Sequence, residues 1–208
     1  MKQDILRRLF TLHISMDELK PLIWRRLITD SSTTLFDLHN YIQLIFPNWR
    51  NYHLYMFTKG GVDFGDPRLW TEEDVIDVRM IQICNLLKEE EQTLSYQYDP
   101  GDDWQMTIKL ESILIDKEKN YRKPVCLDGE NSAPPEDVGG TWGFEEFKAV
   151  IADPFHPQHK EYRIWAGRSY DPLKFDLKKA NQRLGARNRY IFEYNLGIEI
   201  PNYTPRIF

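Results

Sequence analysis

Carboxylates gathered in turns are the most reactive feature of this 208-residue sequence. Asp99, Asp102 and Asp103 crowd the tight turn YDPGDDW, Asp63 and Asp66 sit in a Gly-containing loop, and Glu136 and Asp137 lie in the rigid run PPEDVGG. Oxygen-rich loops of this kind suit hard cations such as Mg²⁺ or Ca²⁺, and two-metal phosphodiester hydrolysis needs such a ligand set. The plainer account is that Asp in a turn caps its own backbone, and the spacing fits no calcium-binding loop. His53 lies between Tyr52 and Leu54, among apolar and aromatic residues. It could act as a general base or a ligand, or simply bond a backbone carbonyl. His156 and His159 have a ligand-like spacing of three but no evident third ligand, and His156 reads more simply as a helix cap.

A second chemistry is electrostatic. Residues 163–189 carry eight Lys or Arg against only Asp171 and Asp176, with Trp165 and Tyr170 interleaved. Arg163, Arg168, Lys178, Lys179, Arg183 and Arg187 are therefore candidate phosphate contacts for a nucleic acid. Arg25 and Arg26 add less, because neighbours in a strand face opposite ways. The run GGTWGFEEF is read as architecture: its glycines allow a tight entry into a helix, and its aromatics give that helix something to bury. A groove lined by Trp104 and Trp142 and rimmed by His53, Asp99, Asp102, Asp103, Glu136 and Asp137 is the expected place for a peptide or small ligand. Serine and tyrosine recombinase chemistry lacks support, since Ser15 has no clustered arginines and His159 stands four residues from Arg163. No phosphate-binding loop, dinucleotide glycine fingerprint or nucleophile elbow occurs.

The elements that must position these residues follow from periodicity. Two β-rich stretches, 5–16 and 21–29, read as a hairpin in which Pro21 holds back the second strand. Leu35, Leu38, Ile42 and Ile45 form the stripe of a helix begun by Thr34 and Asp37 and stopped by Pro47. A strand over 52–58, an acidic loop over 60–79 and a short strand within 75–83 come next. A helical turn over 84–91 precedes the clearest hairpin, TLSYQYD-PGDD-WQMTIKLESIL, in which Trp104, Met106, Ile108 and Leu110 share one face. The Pro/Gly-rich run from Cys126 to Gly143 cannot be helix or central strand for most of its length. Helices follow with Phe144, Phe147 and Ile151, from Pro157 to Gly167, and from the Asp176 cap to Gly185. A closing strand is expected at 190–194. The order argues for an α+β class: N-terminal hairpin, helix and strand joined with the second hairpin in a sheet, then a helical C-terminal portion.

Composition sets outer bounds. With 41% hydrophobic and 13% aromatic residues the chain is globular rather than disordered, and residues 1–208 are expected to form a single domain. Nothing approaches a membrane-spanning apolar run, so no membrane partner is expected. Asp4, Arg7 and Arg8 interrupt any leader-like start, which suggests a cytoplasmic location. Two cysteines are too few for a disulfide framework. The formal net charge of −5 is uneven, for 22 of the 32 acids fall between residues 58 and 160.

Five blocks, KPLIWRRL, TLFDLHNYIQ, HLYMF with FGDP, YQYDPGDDW and CLDGENSAPPEDVGGTWGFEEF, occur in this order between about residues 4 and 185. In them the chain resembles the Ri-plasmid open-reading-frame-three-like family, whose members are sometimes labelled transposon passenger or resolvase-like proteins. The resemblance implies an α+β domain without an assigned activity, followed by an extension over 186–208. Relatives often carry further cysteines where this chain has Ser132 and Val138, so a thiolate metal site does not transfer. Asp103 stands where relatives usually have Gly, adding a carboxylate to the turn. A non-enzymatic binding or interaction protein, with a protein or peptide partner and no required cofactor, is the expected function. A divalent-cation-dependent phosphodiester hydrolase and a nucleic-acid binder are the alternatives.

Overall fold

The computed structural model describes residues 7–70, 74–118 and 120–186. Strands β1 (Arg8–Met16) and β2 (Ile23–Asp30) pair antiparallel from Met16 opposite Ile23 to Leu9 opposite Asp30. Helix α1 (Leu35–Ile45) follows; its apolar stripe Leu35, Leu38, Ile42 and Ile45 is wholly buried. Thr34 caps it, accepting from the Asp37 amide at 3.0 Å, while the Asp37 carboxylate takes the Thr34 hydroxyl at 3.0 Å.

Strands β3 (Tyr55–Lys59), β4 (Val62–Gly65) and β5 (Ile76–Asp77) and the short helix α2 (Ile83–Leu86) come next. Then follow the hairpin β6 (Thr93–Tyr98) and β7 (Trp104–Ile115), strand β8 (Val125–Glu130), and helices α3 (Gly140–Ala152), α4 (His159–Trp165) and α5 (Leu177–Gly185). All the strands join one sheet in the order β5-β4-β3-β6-β7-β1-β2-β8, antiparallel except for the β4–β5 pair. One sheet face is covered. Leu94, Tyr96, Tyr98, Trp104, Met106, Ile108 and Leu110 are buried there, in one core with residues of α1, α3 and α5. The alternate residues are wetter, and Arg26 pairs on that side with Glu111 at 2.6 Å and stands over the Trp24 ring.

Arg25 takes the inward face, as strand alternation requires, and is fully buried. Its guanidinium lies between the rings of Phe46 and Phe175 and donates to the carbonyls of Ile45, Trp24, Glu130 and Asn131 at 2.6–2.9 Å. Burial lowers its pKa to about 9. An arginine spent on carbonyls from α1, β2 and the end of β8 is a strut, and it offers nothing to phosphate.

Several expected boundaries move. The acidic loop over 60–79 contains β4, because Gly60 and Gly61 at positive φ close a hairpin between β3 and β4. The strand expected within 75–83 shrinks to Ile76–Asp77. Residues 52–54 precede β3 instead of opening it, and β8, formed inside the Pro/Gly-rich run, is an edge strand. His159, preceded by Gln158 at the N-cap, and not Pro157, is the first residue of α4. The closing strand expected at 190–194 lies outside the described residues. Among the described residues no helix is long and apolar enough to cross a membrane.

Candidate functional site

The tip of the β6–β7 hairpin meets the segment that leads into α3. A side chain on Gly140 would place its Cβ 2.6 Å from the Asp102 carbonyl oxygen, and Gly140 has a φ of 68°. The Asp102 carboxylate also accepts from the Gly139 amide at 3.2 Å. This close approach brings Asp99, Glu136 and Asp137 together around His53, which enters on the loop between α1 and β3.

His53 Nε2 lies 2.9 Å from Asp137 Oδ1, 3.3 Å from Asp99 Oδ2 and 3.7 Å from Glu136 Oε1. One ligand-capable atom each from His53, Asp99 and Glu136 falls within 4.8 Å of the others. Backbone shape aims them. Asn51, Asp99 and Asp137 adopt positive φ of 58°, 55° and 57°, a region that Asn and Asp enter more readily than other side chains. Partners behind the cluster hold each carboxylate. Asp99 Oδ1 accepts from the Gly101 and Asp102 amides at 3.0 and 3.3 Å. Glu136 takes the Tyr98 hydroxyl at 2.9 Å and the Arg50 amide, and Asp137 takes the Tyr52 hydroxyl. The Tyr52 and Tyr98 rings flank the imidazole.

The charges do not balance. Three carboxylates face one imidazole, with the Asp99 and Glu136 side chains only 7% and 6% exposed. Burial is the largest influence on Glu136 and raises its pKa, although the Arg50 and Tyr98 bonds and His53 oppose the shift. Contrast the other acidic group. Asp66 binds Arg68 and Arg79, and Arg79 also binds Asp77, so two carboxylates meet two guanidiniums and the Asp66 pKa falls despite burial.

A buried polar network backs the loop that carries His53. His39 Nε2 meets Asn51 Oδ1 at 2.6 Å and Nδ1 meets the Tyr96 hydroxyl at 2.8 Å, while Gln43 donates to that hydroxyl at 3.3 Å. Because Asn51 Oδ1 can only accept, Nε2 carries the proton and Nδ1 accepts from Tyr96. Burial depresses the His39 pKa to about 3, so the ring is neutral.

Beside the cluster opens a cavity of about 660 Å³, and Glu136, Asp137 and Tyr52 belong to both. Its other walls include Gln43, Trp49, Arg50, Trp165 and Arg183.

Several candidate residues do not converge. Asp102 is turned to Gly139, and Asp103 accepts from Gln97 and Gln105 at 2.5 and 2.6 Å. The groove between two tryptophans is corrected: Trp104 opens β7 on the core face and is 2% exposed, whereas Trp142 is 81% exposed in the first turn of α3. His159 bonds the Val150 carbonyl at 3.2 Å and His156 accepts from the Gln158 amide, so neither joins a ligand set. Of the basic set, Arg183 lines the cavity, Arg163 is committed to the Tyr170 and Arg168 carbonyls, and Arg168, Lys178 and Lys179 are exposed. Arg187 lies outside the described residues. The sequence reading missed Tyr98, Tyr52, Asn51 and His39. The YQYD and NYH runs beside the acids and His53 carried the available signal.

The family model described as plasmid pRiA4b ORF-3-like protein matches residues 8–179. The uncharacterized protein y4hQ of Sinorhizobium fredii is 32% identical over 173 residues, 82% of this chain and 88% of that protein. The crystal structure of MM3350, a protein of unknown function from Methanosarcina mazei Go1, superposes with a TM-score of 0.73 at 31% identity, covering 83% of this chain and 97% of that one.

Proposed function

Since the chain belongs to the plasmid pRiA4b ORF-3-like family, whose matched region spans the whole cluster, we propose that it is a metal-dependent binding protein. His53, Asp99 and Glu136 hold one divalent cation beside the cavity, with Asp137 at its edge. The carrying observation is the convergence of His53 Nε2 on Asp99 Oδ2 and Glu136 Oε1 at 3.3 and 3.7 Å. Metal–ligand bonds of about 2.0–2.2 Å in a tetrahedral arrangement put neighbouring ligand atoms about 3.3–3.6 Å apart, so little movement is required. His53 then gives Nε2 to the cation in place of Asp137. A cation also stabilises the charged form of Glu136, which burial, and to a smaller extent the Asp137 charge, disfavours. An imidazole among the carboxylates favours Mn²⁺ or Zn²⁺ over Mg²⁺ and Ca²⁺.

Metal analysis and thermal melts test this reading. About one Zn²⁺ or Mn²⁺ per chain and a concentration-dependent rise in Tm are expected, both lost in His53→Ala. Substoichiometric metal together with unchanged melting at millimolar cation overturns it.

Hydrolysis is a second reading, favoured by one observation. The Asp137 side chain is 56% exposed and lines the cavity, where it could take a proton from a metal-bound water. Metal-dependent turnover of bis-p-nitrophenyl phosphate that disappears in Asp137→Asn supports it. Metal binding without turnover removes it.

A further inference from the structure

Each carboxylate around His53 has one oxygen that already holds a hydrogen-bond donor and one that faces the imidazole. Asp99 Oδ1 accepts the Gly101 and Asp102 amides at 3.0 and 3.3 Å, which leaves Oδ2, 3.3 Å from His53 Nε2, for an ion. Glu136 Oε2 accepts the Arg50 amide, while Oε1 lies 3.7 Å from His53 Nε2. Asp137 Oδ2 accepts the Tyr52 hydroxyl, and Asp137 is not among the three residues whose ligand atoms lie within 4.8 Å of one another. Three of these donors are backbone amides. Their positions are set by the fold, so no side-chain rotation re-aims them.

An ion in the cluster therefore meets one atom from each residue: His53 Nε2, Asp99 Oδ2 and Glu136 Oε1. Chelation by both oxygens of Asp99 or Glu136 would first have to break the amide bonds behind them. Ca²⁺ needs about six to eight oxygen ligands and commonly gains them from bidentate carboxylates, and Mg²⁺ keeps several waters in an octahedral shell. The Asp99 and Glu136 side chains are only 7% and 6% exposed, which leaves little space for such a shell. Zn²⁺ is satisfied by three protein atoms and one further ligand, and it binds nitrogen and oxygen donors more strongly than Mn²⁺ does.

Tyr98 links the three ligands. It is fully buried, precedes Asp99 in the chain, stands edge-on to the His53 ring and donates its hydroxyl to Glu136 Oε1 at 2.9 Å. With the Arg50 amide on Oε2 and this hydroxyl on Oε1, the Glu136 carboxylate is held at both ends and does not turn about its last bond. We propose that this hydrogen bonding makes the site four-coordinate and selective for Zn²⁺ over Mn²⁺, Mg²⁺ and Ca²⁺, with Tyr98 setting the selectivity by keeping Glu136 monodentate. This selectivity rests on the metal reading above and adds to it the identity of the ion and its coordination number. Water, or a donor atom from a ligand, takes the fourth position.

Co²⁺ loading and metal competition on the full chain test it. Four-coordinate Co²⁺ absorbs strongly in the visible and six-coordinate Co²⁺ faintly, so strong bands are expected, bleached by one equivalent of Zn²⁺. Zn²⁺ should bind at least about a hundredfold more tightly than Mn²⁺, and millimolar Ca²⁺ should leave Tm unchanged. Tyr98→Phe keeps the buried ring and removes only the hydroxyl. It should narrow the Zn²⁺/Mn²⁺ affinity ratio by about tenfold or more and weaken the Co²⁺ bands, as Glu136 becomes free to chelate through both oxygens. Faint Co²⁺ bands from a loaded wild-type site, or equal affinity for Zn²⁺ and Mn²⁺, overturn the proposal and leave the metal reading standing. A Tyr98→Phe chain that loses affinity for both ions equally, with unchanged Co²⁺ bands, overturns the role of Tyr98. Absence of binding by all of these cations overturns the metal reading as well.

Discussion

At the scale of the residue, Glu136 is where function and stability oppose each other. Its raised pKa means that the folded chain holds this proton more tightly than the unfolded chain does. The associated stability is therefore full below the ordinary glutamate value and is lost as pH rises through the folded-state value. Glu136→Gln, which keeps an oxygen for the Arg50 amide or the Tyr98 hydroxyl, should melt higher than the wild type near pH 7.5 without metal. A gain of roughly 1 kcal/mol is a rise of about 2–4 °C for a chain of this size. The gain should vanish near pH 4, and the variant should show no metal-induced shift; lower melting at pH 7.5 contradicts the assignment. His39 works in the other direction. Its pKa is depressed to about 3, so between about pH 6.5 and 3 the unfolded chain binds a proton that the folded one refuses. Stability should fall as pH drops through that window. Melts at pH 7.5 and 5.0 should show a smaller pH penalty in His39→Gln than in the wild type, whatever the variant's absolute stability. Of these two residues the sequence marks only Glu136, as one of the loop acids: His39 sits within the helix segment TLFDLHNYIQ, and its role appears only with Tyr96 and Asn51 around it.

Elements decide which acids reach the site. The β6–β7 turn sends Asp99 inward, Asp102 to the Gly139 amide and Asp103 to two glutamines. Three acids that look equivalent in YDPGDDW thus have three fates. Asp103 has a φ of 54°, a backbone region that Gly enters freely and Asp more readily than most side chains. The contact of this turn with the start of α3 depends on Gly140, whose φ of 68° and 2.6 Å approach to the Asp102 carbonyl leave no room for a Cβ. Gly140→Ala should cost about 1–3 kcal/mol and weaken metal binding at a distance, because displacing Asp102 disturbs the amide that holds Asp99. Denaturant unfolding and metal titration of the variant check both effects; unchanged metal affinity would separate the turn from the site. Local elements were largely legible beforehand. Thr34 and Asp176 cap α1 and α5, and the alternation of β7 places Trp104, Met106, Ile108 and Leu110 inward. Strands β4 and β8 were not, since Gly-rich and Pro-rich surroundings mask a short strand whose pairing comes from its neighbours.

For the molecule as a whole, the cation would tie together three segments far apart in sequence: the loop after α1, the β6–β7 turn and the approach to α3. It binds only when all three are in place, so its binding energy adds to global stability. At a free concentration one hundred times Kd the gain is about 2.7 kcal/mol, a rise in Tm of roughly 5–10 °C. A calorimetric series over metal concentration checks this, and a single cooperative transition that moves as a unit is expected. The acid-rich middle of the chain acquires its meaning here too. Of the acids between residues 58 and 160, Asp66 and Asp77 are matched by arginines, whereas Asp99, Glu136 and Asp137 confront one imidazole. Composition cannot tell these groups apart. Capping, alternation and amphipathic stripes depend on residues a few places apart, so the mixed helix and strand content, the strongest hairpin and the list of candidate acids were readable from the chain alone. Whether a given carboxylate caps its own turn or points at a distant histidine depends on strand order and on the return of the 131–139 segment against the hairpin tip. Those are long-range pairings, set by the burial of one shared core, and they leave no periodic trace in the sequence.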